Sequence, residues 1–239
     1  MGKKLKKIMK LNNKGFSLIE LSIVLIIIGL LVAGITGGAS LIKSAELRAV
    51  MSDIRNYQTA VNAYYTSIGE LPGTEGSSEM AFADSCDAWA AMVNEGIIDT
   101  YLTSFSKDTT TNKYSCASMT TVGSVNSVNS KMKGGFYALG YNNEMLANVI
   151  FLVGNGQTAD GMTSATAGAS ATLGTSVVSR KDAKFLDDKM DNGISDSGKI
   201  FAFTGSNTDA GGAGCVYSNS GTINKETTRD CGIAMSIGL

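Results

Sequence analysis

Lys14-Gly15-Phe16-Ser17-Leu18-Ile19-Glu20-Leu21 is the stretch on which the fold turns. The apolar run that starts there extends to Ile42, 27 residues in which Glu20 is the only ionisable side chain. Upstream, residues 1–15 carry six lysines and no acid. Because about 20 apolar residues suffice for a helix to span a bilayer, the run predicts a membrane-spanning segment. Lysines beside such a segment favour the cytoplasmic side, which places the bulk of the chain outside. A secretory signal peptide has an apolar region of only about 7–15 residues and a small-residue cleavage site after it, and neither is seen here. A plain signal anchor fits the same pattern.

Glu20 is the anomaly of this run. A carboxylate within an apolar helix costs roughly 2.5–3.5 kcal/mol at the bilayer centre and less near an end, where it reaches the interface. It reads either as an end-of-helix residue that snorkels or as a pairing residue that seeks a positive charge from another chain. Cleavage after Gly15 would supply that charge, since the new Phe16 amine lies one helical turn from Glu20. Gly29, Gly34, Gly37 and Gly38 lie in the same run. Gly34 and Gly38 form a G-x-x-x-G spacing that permits close helix approach, while Gly37-Gly38 alternatively invites local melting.

Composition narrows the chemistry. The chain has 20 basic and 21 acidic residues, but six of the basic ones lie in residues 1–15. The remainder is 14 basic against 21 acidic, a poor non-specific partner for nucleic acid. Histidine is absent, which removes Ser-His and Cys-His dyads, imidazole metal sites and a histidine base near neutral pH. Four cysteines, Cys86, Cys116, Cys215 and Cys231, all follow the apolar run, and none has metal-knuckle spacing. They read as two disulfides in an oxidising compartment. Three connectivities are open, and pairing of Cys86 with Cys116 and of Cys215 with Cys231 closes the shorter loops.

Beyond Ile42 the helix turns amphipathic. Leu47, Val50, Ile54, Tyr57, Val61, Tyr64 and Ile68 recur by three and four, one apolar stripe that predicts a helix lying on a core. Gly69 and Pro72 end it. A helix over 16–68 would measure roughly 80 Å at 1.5 Å per residue. The chain then divides as a basic leader (1–15), a hydrophobic transmembrane or filament-core helix (16–42), an amphipathic helix (43–69) and a head (70–239). In the head, Cys86, Trp89, Ala90 and Val93 predict a second helix closed by Gly96, with Trp89 as a core anchor. Residues 107–133 read as a surface loop, and 136–141 with 145–153 as paired strands. Residues 155–176 read as an exposed loop. Ser179 and Asp182 predict the start of a helix that stops at Asn192-Gly193, and residues 199–204 and 233–237 read as strands. The expected fold class is α+β: a long N-terminal helix packed on an antiparallel sheet, with extra helices and disulfide-bounded loops.

The stretch Lys14 to Leu21 resembles the processing site of the type IV pilin superfamily, which includes the pilins and the pseudopilins of type II secretion. The cleavage glycine, the aromatic, the glutamate and the long apolar run all agree. The resemblance implies that prepilin peptidase cuts between Gly15 and Phe16 and methylates the Phe16 amine, and that Glu20 aids subunit docking. Many family members carry a proline in mid-helix, where this chain has Gly37-Gly38. The order of helix, Leu71-Pro72-Gly73, Trp-containing helix and Glu95-Gly96-Ile97-Ile98 is similar to a subgroup of pilin-like proteins. So is the run from Asp182 to Gly193 followed by Ser197-Gly198-Lys199. Because some pseudopilins bind Ca²⁺ in their heads, Asp187, Asp188, Asp191 and Asp196 are candidate calcium ligands. Their spacing is not that of an EF-hand, and the competing reading is a solvated helix end with an Asx turn.

The implied partners are identical subunits in a helical homopolymer, prepilin peptidase, an inner-membrane assembly platform, and the membrane itself before assembly. The implied locations are the inner membrane for the precursor, then an extracellular pilus or a periplasmic pseudopilus. The roles in play are a major pilin, a type II secretion pseudopilin and a minor pilin. A non-polymerising, membrane-anchored binding protein is a separate class. A tethered hydrolase would rest only on scattered carboxylates.

Overall fold

The computed structural model describes residues 15–74, 81–82, 85–100, 105–107, 109, 114–116, 128–142, 145–154, 177–204, 215 and 231–238. The leader up to Lys14 and the Gly/Ala/Ser/Thr-rich stretch 155–176 lie outside these residues. The chain divides into two units, Met1–Ala45 and Glu46–Leu239. Helix α1, Leu18–Ile68, runs without interruption through both.

In the first unit the apolar face is bare. Phe16, Leu18, Leu30, Ile35 and Leu41 are all exposed. Three of the hydroxyls carried by this segment bond back to their own helix. Ser22 donates to the Ile19 carbonyl, Thr36 to the carbonyls of Val32 and Ala33, and Ser44 to the Ser40 carbonyl. That local satisfaction is what a helix in an apolar medium requires, since hydrocarbon offers no replacement partner. The helix is continuous across Gly37-Gly38, so no melted turn forms there.

In the second unit the predicted stripe does its work: Leu47, Val50, Ile54, Val61 and Tyr64 are buried, with Ala60 beside them. Ile68 departs from the expectation and stays 45% exposed. It lies in the last turn, before Gly69 takes φ 87° and donates its N–H to the Tyr65 carbonyl. Helix α2, Ser85–Asn94, buries Trp89 completely. It ends as a Schellman motif: Ile97 N–H reaches the Met92 carbonyl and Gly96 N–H the Val93 carbonyl, with Gly96 at φ 68°. Helix α3, Arg180–Met190, is capped by Ser179, whose Oγ accepts the Asp182 N–H.

Among the described residues the strands are β1 (Phe105–Lys107), β2 (Tyr114–Cys116), β3 (Val128–Asn129), β4 (Gly135–Asn142), β5 (Ala147–Gly154), β6 (Asp196–Ser197), β7 (Ile200–Thr204) and β8 (Cys231–Ser236). Strands β1 and β2 form a small antiparallel hairpin, and the other six an antiparallel sheet in the order β3-β4-β5-β8-β7-β6. The expected long loop over 107–133 is thus interrupted by short strands. Met145 and Leu146 form a turn rather than opening a strand.

The period of two along each strand sorts its side chains. Tyr137, Leu139, Ile150, Leu152, Ile233 and Met235 join the cluster that contains α1, α2 and α3 residues. Ala138, Val149, Phe151, Val153 and Ala234 form a second cluster on the opposite face. Apolar residues on both faces explain why β5 reads as a continuous hydrophobic run rather than an alternating one.

Three side-chain bonds lock elements together. Ser85 Oγ accepts the buried Leu139 N–H at 2.8 Å, Asn148 Oδ1 accepts the Phe82 N–H at 3.1 Å, and Gln58 Nε2 donates to the Ser236 carbonyl at 2.8 Å. Tyr57 stands edge-on to Trp89 and Tyr137, with centroids 5.0 and 5.1 Å away. The Tyr137 hydroxyl donates to Asp53 Oδ2 at 3.2 Å. Burial, with Asp53 adding to it, pushes the Tyr57 phenol up to about 12. Tyr137 moves further the same way, by burial first, with a Ser130 hydrogen bond opposing and Asp53 reinforcing.

Candidate functional site: the N-terminal segment

Gly15, Phe16 and Ser17 precede the helix, which begins at Leu18. The helix therefore starts two residues later than the apolar pattern suggests. The cause is local. Ser17 N–H donates to Glu20 Oε2 at 2.8 Å, and Ser17 Oγ accepts the Ile19 N–H at 3.4 Å. Ser17 occupies the N-cap position and Glu20 the third helical position, a capping-box pairing in which each residue satisfies an N–H the helix leaves open. The sequence carries the corresponding signature, Ser-x-x-Glu, a local role for Glu20 beside the snorkelling and pairing roles expected of it. A carboxylate there also meets the positive end of the helix dipole.

Phe16 is 91% exposed, and Gly15 is open enough that a Cβ would meet nothing within 4 Å. The Gly15–Phe16 bond is thus outside the helix and unobstructed by the described chain. The 51-residue helix behind it is long and apolar enough, by length and composition, to cross a membrane.

The candidate calcium ligands lie in the other unit, and those whose side chains are described are engaged with separate partners. Asp187 is buried and its Oδ1 accepts the Gly193 N–H at 3.0 Å. Asp188 pairs with Lys184 at 2.8 Å. Asp191, the C-cap of α3, accepts the backbone N–H groups of Lys199 and Ile200 through Oδ2. The side chain of Asp196 lies outside the described residues. Among the described residues no group of three His, Cys, Asp or Glu side chains is arranged to hold a metal.

Cys215 and Cys231 form a disulfide with Cα atoms 5.4 Å apart. Cys86 is also disulfide-bonded, while the side chain of Cys116 lies outside the described residues.

A family model described as the prokaryotic N-terminal methylation motif matches residues 10–36. This is the signature of type IV pilins and pseudopilins, and it indicates a precursor of that kind. The matched residues cover the capping box, the Gly15–Phe16 bond and most of the bare apolar segment. No curated protein and no solved structure matches the chain significantly.

Proposed function

We propose that this chain, whose residues 10–36 carry the prepilin methylation motif, is the structural subunit of a type IV pilus and not an enzyme. Prepilin peptidase cuts the Gly15–Phe16 bond and methylates the Phe16 amine. The mature subunit waits in the inner membrane through its apolar helix, is passed to an assembly platform, and polymerises with identical subunits into a surface filament. The observation that carries this reading is the coincidence of the motif with a bare apolar helix headed by a carboxylate.

The geometry suits each step. A peptidase needs an extended bond, and the capping box holds the helix start at Leu18, downstream of that bond. Glu20 Oε2 is engaged by Ser17, and among the described residues Oε1 has no partner. That oxygen is the one proposed to meet the Phe16 amine of a neighbour. Apolar helices with glycine positions can then exchange lipid contacts for contacts with one another.

The motif is shared by type II secretion pseudopilins, so the pseudopilus is the second reading, with a minor pilin as its variant. The tests are sequencing of mature material and recovery of filaments from sheared cells. A chain that begins at Phe16 and dominates the sheared fraction supports a major pilin. A mature chain that retains Met1 sinks the processing step, and a processed chain absent from sheared filaments moves the role to a pseudopilin or minor pilin.

A further inference from the structure

Arg48, Ser52 and Arg55 share one side of α1, at spacings of four, three and seven. With Lys189 from the last turn of α3 they line a cleft of about 440 Å³. Arg55 also borders a second cleft of about 140 Å³, where it meets Lys199 above Ile200 and Met235. Four cations, Arg48, Arg55, Lys189 and Lys199, therefore line two clefts joined through Arg55. All four are exposed. Among the described residues none of them is ion-paired; Lys189 only lies over the Phe185 ring at 6.0 Å.

The floor is firm. Ile200 and Met235 are buried, and Gln58, which also lines the second cleft, is held by its bond to the Ser236 carbonyl. Cations on α1, on α3 and at Lys199 just before β7, with no counter-ion among the described residues, are arranged for an external anion. Two guanidinium groups suit carboxylate or phosphate oxygens equally. The remainder of the chain decides between sources. After residue 15 it has 14 basic residues against 21 acidic ones. Its overall field repels nucleic acid and anionic lipid surfaces, whereas a second copy brings an excess of carboxylates. A cationic cleft on a chain with this excess of carboxylates is complementary to acidic surface elsewhere on the next copy. Such a heterologous contact does not close on itself and propagates into a filament.

We infer that the Arg48–Arg55–Lys189–Lys199 cleft is a docking face for surface carboxylates of an adjacent copy. The inference rests on the filament reading above and assigns it a contact between heads, separate from the apolar helices.

The test uses the full chain in filament-forming cells. Arg48→Glu with Arg55→Glu reverses the cleft, and Lys131→Glu with Lys181→Glu makes the same change in net charge at exposed positions elsewhere. A neutral pair, Arg48→Gln with Arg55→Gln, guards against loss of folding. The cleft reversal is expected to lower the yield of sheared filaments about tenfold or more. The neutral pair should fall between it and wild type, and the control pair should stay close to wild type. Precursor level, a mature N-terminus at Phe16 and the thermal transition of the head should be unchanged in the neutral pair. Wild-type yield from the neutral and reversed pairs overturns the inference. So does equal loss in cleft and control pairs, or normal filaments that have lost binding to DNA or to anionic vesicles. An unprocessed wild-type chain, or one that forms no filaments, would instead remove the filament reading itself.

Discussion

Asp191 offers a quantitative test of how the head is held together. It closes α3, donating its N–H to the Asp187 carbonyl at 2.7 Å. Its Oδ2 accepts the N–H of Lys199 and, at 3.2 Å, that of Ile200. The carboxylate thereby ties the end of α3 to the start of β7. A hydrogen bond to a charged group contributes about 1.5–3 kcal/mol net. Asp191 is only half-buried, so the low end applies, and Asp191→Ala is expected to cost about 3 kcal/mol for the two bonds. In a body of this size that corresponds to about 6–12 °C in melting temperature. Most of the loss comes from Ile200, which is fully buried and cannot rehydrate its N–H; Lys199 is exposed and can. Asp191→Asn keeps an acceptor without the charge and should lose roughly half as much. Gly198, at φ 89°, lies so close that a Cβ would run into the Asp191 carboxylate. Gly198→Ala should therefore be destabilising alone and less so in the Asp191→Ala background, with a coupling of about 0.5–3 kcal/mol. The assay is thermal unfolding of the full chain in detergent, with and without a chelator. Because backbone N–H groups occupy the carboxylate, chelation should leave the wild-type transition in place. An Asp191→Ala transition within about 0.5 kcal/mol of wild type would refute the hydrogen-bond account. A chelator effect as large as the substitution would show that a calcium ion holds this region.

Ser85→Ala removes the acceptor of the Leu139 N–H, a buried donor in the middle of β4. The expected loss is about 1–3 kcal/mol by denaturant unfolding, and a loss below the detection limit would mean that this N–H finds another partner. Tyr57 gives a pH dependence. Its phenol keeps its proton in the fold up to about 12, against 10.0 when unfolded, so its stabilisation is complete below pH 10 and is lost as pH rises toward 12. Tyr57→Phe should therefore raise the pH of alkaline unfolding, and an unshifted midpoint would show that the half-buried Tyr57 phenol is not what titrates.

The parts of this fold that were legible in the sequence are those set by neighbours along the chain. The three-and-four stripe from Leu47 to Tyr64, Gly96 as a helix stop and Ser179 as a cap all act within one or two turns. Pairing of β4 with β5 was legible because only a short turn joins them. The β1–β2 hairpin was missed because Phe105–Lys107 and Tyr114–Cys116 are three-residue strands in polar sequence, too short to show a period. The aspartates at 187, 188 and 191 were grouped, with Asp196, on the resemblance to pseudopilin heads that bind Ca²⁺. In the fold one is buried against Gly193, one pairs with Lys184 and one caps the helix. The cationic cleft shows the converse failure. Arg48 and Lys189 are 141 positions apart, and only the packing of α3 beside α1 brings them together.

Glu20 is where local and intermolecular explanations have to be separated. Its carboxylate accepts the Ser17 N–H and lies in the first turn of α1, and both facts stabilise it there without any second chain. An acid in an apolar segment is therefore no proof by itself of a partner. The two roles differ in what they ask of the side chain. The cap needs an oxygen acceptor at the third helical position, and glutamine supplies one. Pairing with the Phe16 amine of a neighbour needs the negative charge, and glutamine does not supply it. Glu20→Gln should thus keep cleavage at Gly15 and a helix starting at Leu18, yet reduce filament yield as far as Glu20→Ala does. The measurements are the mature N-terminal sequence and the amount of sheared filament. Filaments at wild-type yield from Glu20→Gln, with loss only in Glu20→Ala, would reduce the residue to a helix cap and remove the charge from the assembly step.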